Sequence, residues 1–192
     1  MDLPRSETGV PYMPDGYQPG GEPARPWPGW VRVVIFVLCY VLLQGLYAQS
    51  AGTAVERFFL VEVGSKPATQ LISWINPEIG ARTQAGRIVA AGGGISIANG
   101  CEGTDIYFLL AAAFIAAPLG WRRRAAGFAL GLMLAFALNQ ARIVALFHAF
   151  RSDRTLFELL HTTVLPVVLV AAISLYFHAV LRTGRPSRHF AA

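Results

Sequence analysis

The sequence predicts an all-α integral membrane protein with four transmembrane helices, joined by a long outer loop that carries short interfacial helices and a small β-hairpin. Three observations predict it. Apolar runs at residues 31–49, 125–150 and 162–181 each supply the ~20 mostly apolar residues that cross a bilayer. A fourth run, 104–119, is shorter and has one acid near its start. The chain is 54% hydrophobic and 14% charged, which is too apolar and too poor in charge for an ordinary soluble domain of 192 residues. Finally, the arginines gather beside the ends of these runs, where membrane topology puts them.

The first run is too long for a secretory signal and is preceded by about thirty residues. Gln49, Ser50 and Ala51 make a poor cleavage site, so it is expected to stay as the first helix. The net charge of +5 does not point to nucleic acid, because its carriers flank helices. Arg122, Arg123 and Arg124 occupy the very short connection between the second and third runs. Short Arg-rich connections stay cytoplasmic. Arg25, Arg32, Arg182, Arg185 and Arg188 fall on the same side if there are four spans, which puts both termini in the cytoplasm. Arg57, Lys66, Arg82, Arg87, Arg151 and Arg154 fall on the other side, several of them beside acids, so the triple arginine decides the orientation. The expected location is the cell (inner) membrane.

Residues 1–28, rich in Pro and Gly, cannot bury a core and are expected to be a disordered cytoplasmic tail. Residues 29–183 form the membrane domain, and 184–192 a basic cytoplasmic tail. In the outer loop, 58–63 and 71–75 are apolar stretches broken by Glu62, Lys66 and Pro67, a pattern for short helices lying on the membrane surface. Segments 84–90 and 94–99 flank a glycine cluster and read as a β-hairpin leading into Cys101.

Ionisable groups inside spans are costly and mark function or tight pairing. Asn139 and Arg142 in the third span are three residues apart, on one helix face. Arg142 lies toward the outer end, so two readings stand open: a functional cation, or a side chain snorkelling to the headgroups. Cys101 sits at the outer mouth of the second span, between Gly100 and Glu102-Gly103. A lone cysteine is usually a small buried hydrophobe. A helix N-terminus, however, favours the thiolate. Cys39 is mid-span and reads as structural. No CxxC pair exists, which disfavours a thiol oxidoreductase.

Of four histidines, His189 is in the tail. His178 is separated from the outer end of its helix by roughly 25 Å of helical rise. His148 lies six residues past Arg142, about 120° round the helix. His161 opens the fourth span at its outer end. Cys101, Arg142 and His161 thus reach one outer layer from three successive helices. Gly127 and Gly131 form a GxxxG pair that reads as helix packing.

The segments Asn99-Gly-Cys-Glu-Gly103, Arg122-Arg-Arg124, Asn139-Gln-Ala-Arg142-Ile143 and Phe157-Glu-Leu-Leu-His161, in this order and spacing, resemble the exosortase/archaeosortase family over roughly residues 88–181. The short chain is similar to its compact members, such as exosortase H. The resemblance implies a membrane cysteine protease/transpeptidase with a Cys, Arg, His triad, mapping onto Cys101, Arg142 and His161. Cys101 would be the nucleophile, Arg142 the thiolate or oxyanion stabiliser, and His161 the general acid/base. Asn139 would orient Arg142, donate to the oxyanion, or only hold helices together. Glu102 and Asp105 would steer the arginine or simply favour a helix N-terminus. No metal or cofactor is called for. The implied partners are exported proteins with a C-terminal recognition motif, a transmembrane helix and a basic cluster, together with membrane lipid and without nucleic acid. The rival classes are a non-enzymatic transport or assembly factor whose polar residues only pack helices, and a membrane redox protein.

Overall fold

The structure, a computed structural model, describes residues 27–91, 93–97 and 102–183. Cys101, Asn99 and Gly100, nearly all of the N-terminal tail, and the C-terminal residues from Gly184 on lie outside the described residues. Helix α1, Gly29–Gln49, is followed by the short α2, Ala54–Arg57, a π-helical stretch, Phe58–Ser65, and α3, Lys66–Ile75. A 3-10 turn, Pro77–Ile79, leads into three strands: β1, Arg82–Gln84; β2, Arg87–Ala90; and β3, Gly93–Ser96. Then come α4, Thr104–Ala116; α5, Trp121–Ser152; α6, Arg154–Leu159; a π-helical turn, Leu160–Val164; and α7, Leu165–Thr183.

Among the described residues, three helical segments are long and apolar enough to cross a membrane: Gly29–Gln49, Trp121–Ser152 and Arg154–Thr183. The chain is therefore a multi-pass membrane protein. Helix α4 is apolar but only 13 residues long. It stops short of the expected end at Leu119 because Pro118 disfavours helical geometry at the residue before it. Ala117 accordingly adopts φ -66° and ψ 139°. Arg124 Nη2 donates to the carbonyls of Ala117 at 2.8 Å and Leu119 at 3.3 Å. The Ala117 carbonyl also accepts from the Leu119 N–H at 2.9 Å.

Helices α4, α5 and α7 share one core, in which Leu110, Phe114, Ala135, Leu169 and Ile173 are buried. Gly127 and Gly131 bear out the packing expected of a GxxxG pair. A Cβ at Gly131 would stand 2.8 Å from both Leu110 and Tyr176, and one at Gly127 would stand 2.8 Å from Phe114. The close approach lets Tyr176 donate its hydroxyl to the Gly127 carbonyl at 2.6 Å. Helix α1 leans on α4 and buries no residue of its own, as expected of a helix solvated by lipid.

A second core lies at the end of the bundle nearest Arg142, between α3, the sheet and the last turns of α5. It holds Ala68, Ile72, Ile88, Ile95, Ile143 and Phe147. The sheet is an antiparallel meander in the order β1-β2-β3, pairing Thr83 with Ile88 and Ile88 with Ile95. The hairpin expected over 84–90 and 94–99 corresponds to β2 and β3, and β1 is an added strand. Ala85 at φ 47° and Gly86 at φ 78° join β1 to β2. Both are left-handed, as a two-residue hairpin turn requires. The stretches 58–63 and 71–75 are helical, as the π-helical stretch and α3. Pro67 has no N–H to offer the carbonyl of Val63, four residues before it. Gln140 Nε2 of α5 donates to that carbonyl at 2.8 Å. This bond ties the loop to the bundle, as does that from Arg151 Nη1 to the Ala91 carbonyl at 2.6 Å.

Candidate active site

Polar groups concentrate at the end of the bundle where α1 stops, α4 begins and the loop folds over α5. Arg142 on α5 is buried, with 8% of its surface exposed. The snorkelling reading requires a guanidinium in the headgroups, so this burial favours a cation held within the protein. Asn139, one turn earlier on the same face, is 1% exposed. Its Nδ2 donates to the backbone carbonyl of Glu102 at 3.0 Å. Asn139 Oδ1 is buried without a partner among the described residues. The amide therefore clamps the chain just after position 101.

Gly103 completes the clamp. It adopts φ +86°, and a Cβ there would sit 2.8 Å from the Asn139 amide. Only glycine combines that backbone with that approach. Gly64 of the loop comes up to the same place at ordinary contact distances. A Cβ on it would stand 3.6 Å from Ile97 and 3.8 Å from Glu102, so the described residues flanking 98–101 both pack against one glycine.

Glu102 is fully buried. Its Oε1 accepts from Tyr47 Oη at 3.0 Å and from Thr104 Oγ1 at 3.1 Å. Its Oε2 has no partner among the described residues. Asp105 Oδ1 accepts from Gln44 Nε2 at 2.6 Å. In these bonds both acids face the end of the bundle where α1 finishes. Tyr47 and Gln44 were not read from sequence as site residues. They are polar positions about one turn apart near the end of an apolar helix, which was the available signal.

His161 is half-buried and stacks on Phe157, with ring centroids 5.4 Å apart and planes at 6°. The charge of Arg142 acts on its imidazole. The histidine sits in the π-helical turn before α7. Such wide turns are rare and often mark functional sites. Pro166 follows and withholds the N–H that an α-helix would give to Thr162. Phe157 also packs edge-on against Phe150, which seats α6 on the end of α5. His148 packs edge-on against Phe147. His178 lines an apolar groove with Arg32, Phe36 and Leu119, at the end of the bundle away from Arg142. That groove, about 730 Å³, has a mostly aliphatic lining and lies away from the polar cluster. The described residues contain no cluster of His, Cys, Asp and Glu suited to a metal ion.

These features define a helical, multi-pass membrane protein with a polar site buried at one end of its bundle. A family model described as transmembrane exosortase (Exosortase_EpsH) matches residues 22–178. The chain belongs to the transmembrane exosortase family. No curated protein matches it, and no solved structure does.

Proposed function

We propose that the chain is a membrane cysteine transpeptidase that cleaves C-terminal sorting signals of exported proteins at the outer face of the cell (inner) membrane. The observation that carries this reading is one turn of α5. Asn139 fixes the backbone immediately after Cys101, and the buried Arg142 stands one turn further along the same helix. Family membership supports the same roles for Cys101, Arg142 and His161.

In this reading His161 takes the Cys101 thiol proton, and the thiolate attacks the scissile carbonyl. Arg142 stabilises first the thiolate and then the oxyanion of the tetrahedral intermediate. The C–N bond breaks as His161 returns the proton to the leaving amine. The acyl group stays on sulfur as a thioester until an amine or water attacks it. Asn139 is a positioning residue.

Helix α4 would complete a fourth crossing. Its helical residues rise ~20 Å and the few extended ones after it add ~10 Å, together matching the ~30 Å hydrocarbon core. Non-helical backbone at membrane depth is tolerated where the protein satisfies it. Arg124 does so here. With Arg122, Arg123 and Arg124 cytoplasmic, both termini are inside and the Arg142 end faces outward.

The test is substrate processing in cells expressing Cys101→Ala, Arg142→Ala or His161→Ala at wild-type levels. Each variant is expected to accumulate full-length exported proteins that keep their C-terminal helix. Normal processing by Cys101→Ala would leave the rival reading, a non-enzymatic assembly or transport factor.

A further inference from the structure

Beside the clamped residues a recess of about 310 Å³ opens between the end of α1 and the start of α4. Gln44, Tyr47, Glu56, Glu102, Thr104 and Asp105 line it, so it holds three carboxylates and no basic side chain from the described residues. Two of these acids are positioned by hydrogen bonds at one oxygen. Glu56 Oε2 accepts from the Gly52 N–H at 2.6 Å, and Asp105 Oδ1 is bonded to Gln44. Glu102 differs, because it is fully buried and one of its oxygens, Oε2, has no partner among the described residues. An unmet buried carboxylate oxygen costs free energy unless a donor completes it. Its immediate chain neighbour is Cys101.

We propose that this recess is a binding site for a primary ammonium group, and that it holds the acceptor amine that resolves the thioester. The inference rests on the transpeptidase reading for its role, but not for the binding itself. Three carboxylates beside a low-dielectric bilayer attract a cation strongly. An ammonium carries three donors, and Glu102 Oε2 is an acceptor with no partner among the described residues. The described residues offer no three-ligand set suited to a metal, which favours the organic cation. The size suits the end of a small molecule or an exposed chain terminus.

The step balances. The ammonium gives one proton to a pocket carboxylate, and the neutral nitrogen attacks the thioester carbonyl. A C–N bond forms, the C–S bond breaks, and the nitrogen's second surplus proton passes through His161 to the Cys101 thiolate.

Binding is measured by isothermal titration of glycinamide into full-length protein in phosphatidylcholine nanodiscs, on a Cys101→Ala background where no transfer occurs. Saturable binding is expected for glycinamide and none for acetamide, its analogue without the amine. Glu102→Gln keeps the side chain's shape and is expected to weaken glycinamide by about tenfold or more, as the loss of a charge-assisted hydrogen bond does. Asp105→Asn gives the same reading if Glu102→Gln does not fold. Undiminished binding in the folded variant overturns the site, and so does calcium chloride that competes with glycinamide. With active protein, glycinamide is expected to raise transfer product at the expense of hydrolysis. Inhibition of cleavage instead would assign the recess to a basic side chain of the substrate and overturn the acceptor role. No cleavage by the wild-type protein even without glycinamide, with binding intact, would count against the transpeptidase reading and leave the ammonium site standing.

Discussion

Asn139 Nδ2 donates to the backbone carbonyl of Glu102 at 3.0 Å, so a side chain of α5 holds the first described residue after Cys101. The same helix carries Arg142 one turn on, so a single rigid element sets the spacing between the Glu102 backbone and the cation. Replacing Asn139 by Ala strands a buried carbonyl, which costs ~1–3 kcal/mol. Substrate processing is expected to fall more than the amount of folded protein does, both measured in the same membranes. Unchanged processing at equal folded protein would show that the clamp has no bearing on the reaction.

Gly103→Ala is expected to destabilise the protein by ~1–3 kcal/mol, since it forces a side chain into a left-handed φ. The added Cβ would also press against the Asn139 amide. Gly45→Ala is the control. Its Cβ would meet nothing within 4 Å. Alanine also favours the α1 helix. Thermal unfolding followed by tryptophan fluorescence in detergent should lower the midpoint for Gly103→Ala and leave Gly45→Ala level or higher.

Among the histidines, His161 is expected to be the acid/base. General acid–base assistance is worth ~10²–10⁴-fold, so His161→Ala should nearly abolish cleavage. His178→Ala should cleave normally, because that side chain lines the groove at the opposite end of the bundle. His148→Ala should retain most activity, with the ring packed edge-on to Phe147. The comparison is a cleavage assay at matched expression, and an inactive His148→Ala beside an active His161→Ala would reverse the assignment.

Reporter fusions check the orientation. Fusions after Gly120 and after Gly184 should report cytoplasm, and one after Asp153 should report the outside. An outside reading after Gly120 would turn the Arg142 end toward the cytoplasm and remove exported proteins as substrates.

The long apolar helices were legible because bilayer thickness imposes a simple length rule that 31–49, 125–150 and 162–181 meet. The second run was harder. Its apolar character extends to Leu119, but Pro118 ends the helix at Ala116, and Arg124 closes the break from another element. Strand β1 was missed because its turn places an alanine, Ala85, at positive φ. Asparagine or glycine there would have announced a hairpin. The π-helical segments have no pattern of their own, although Pro67 and Pro166 stand just beyond them. At the site, Arg142 and Asn139 stood out as polar residues in an apolar run, but burial alone decides between a snorkelling and an enclosed arginine. Glu102 read as an acid that would steer the arginine or simply favour a helix N-terminus. Its enclosure depends on Tyr47, 55 residues earlier, and no local signal carries a contact of that kind.

The central claim, that Cys101 is the nucleophile, is tested most directly by isolating its peptide from protein turning over in cells. The peptide that contains Cys101 should carry a substrate fragment as a thioester that neutral hydroxylamine releases, and His161→Ala should lower its yield. The account is contradicted if Cys101 is never acylated while processing proceeds, or if the hydroxylamine-labile fragment maps to another residue.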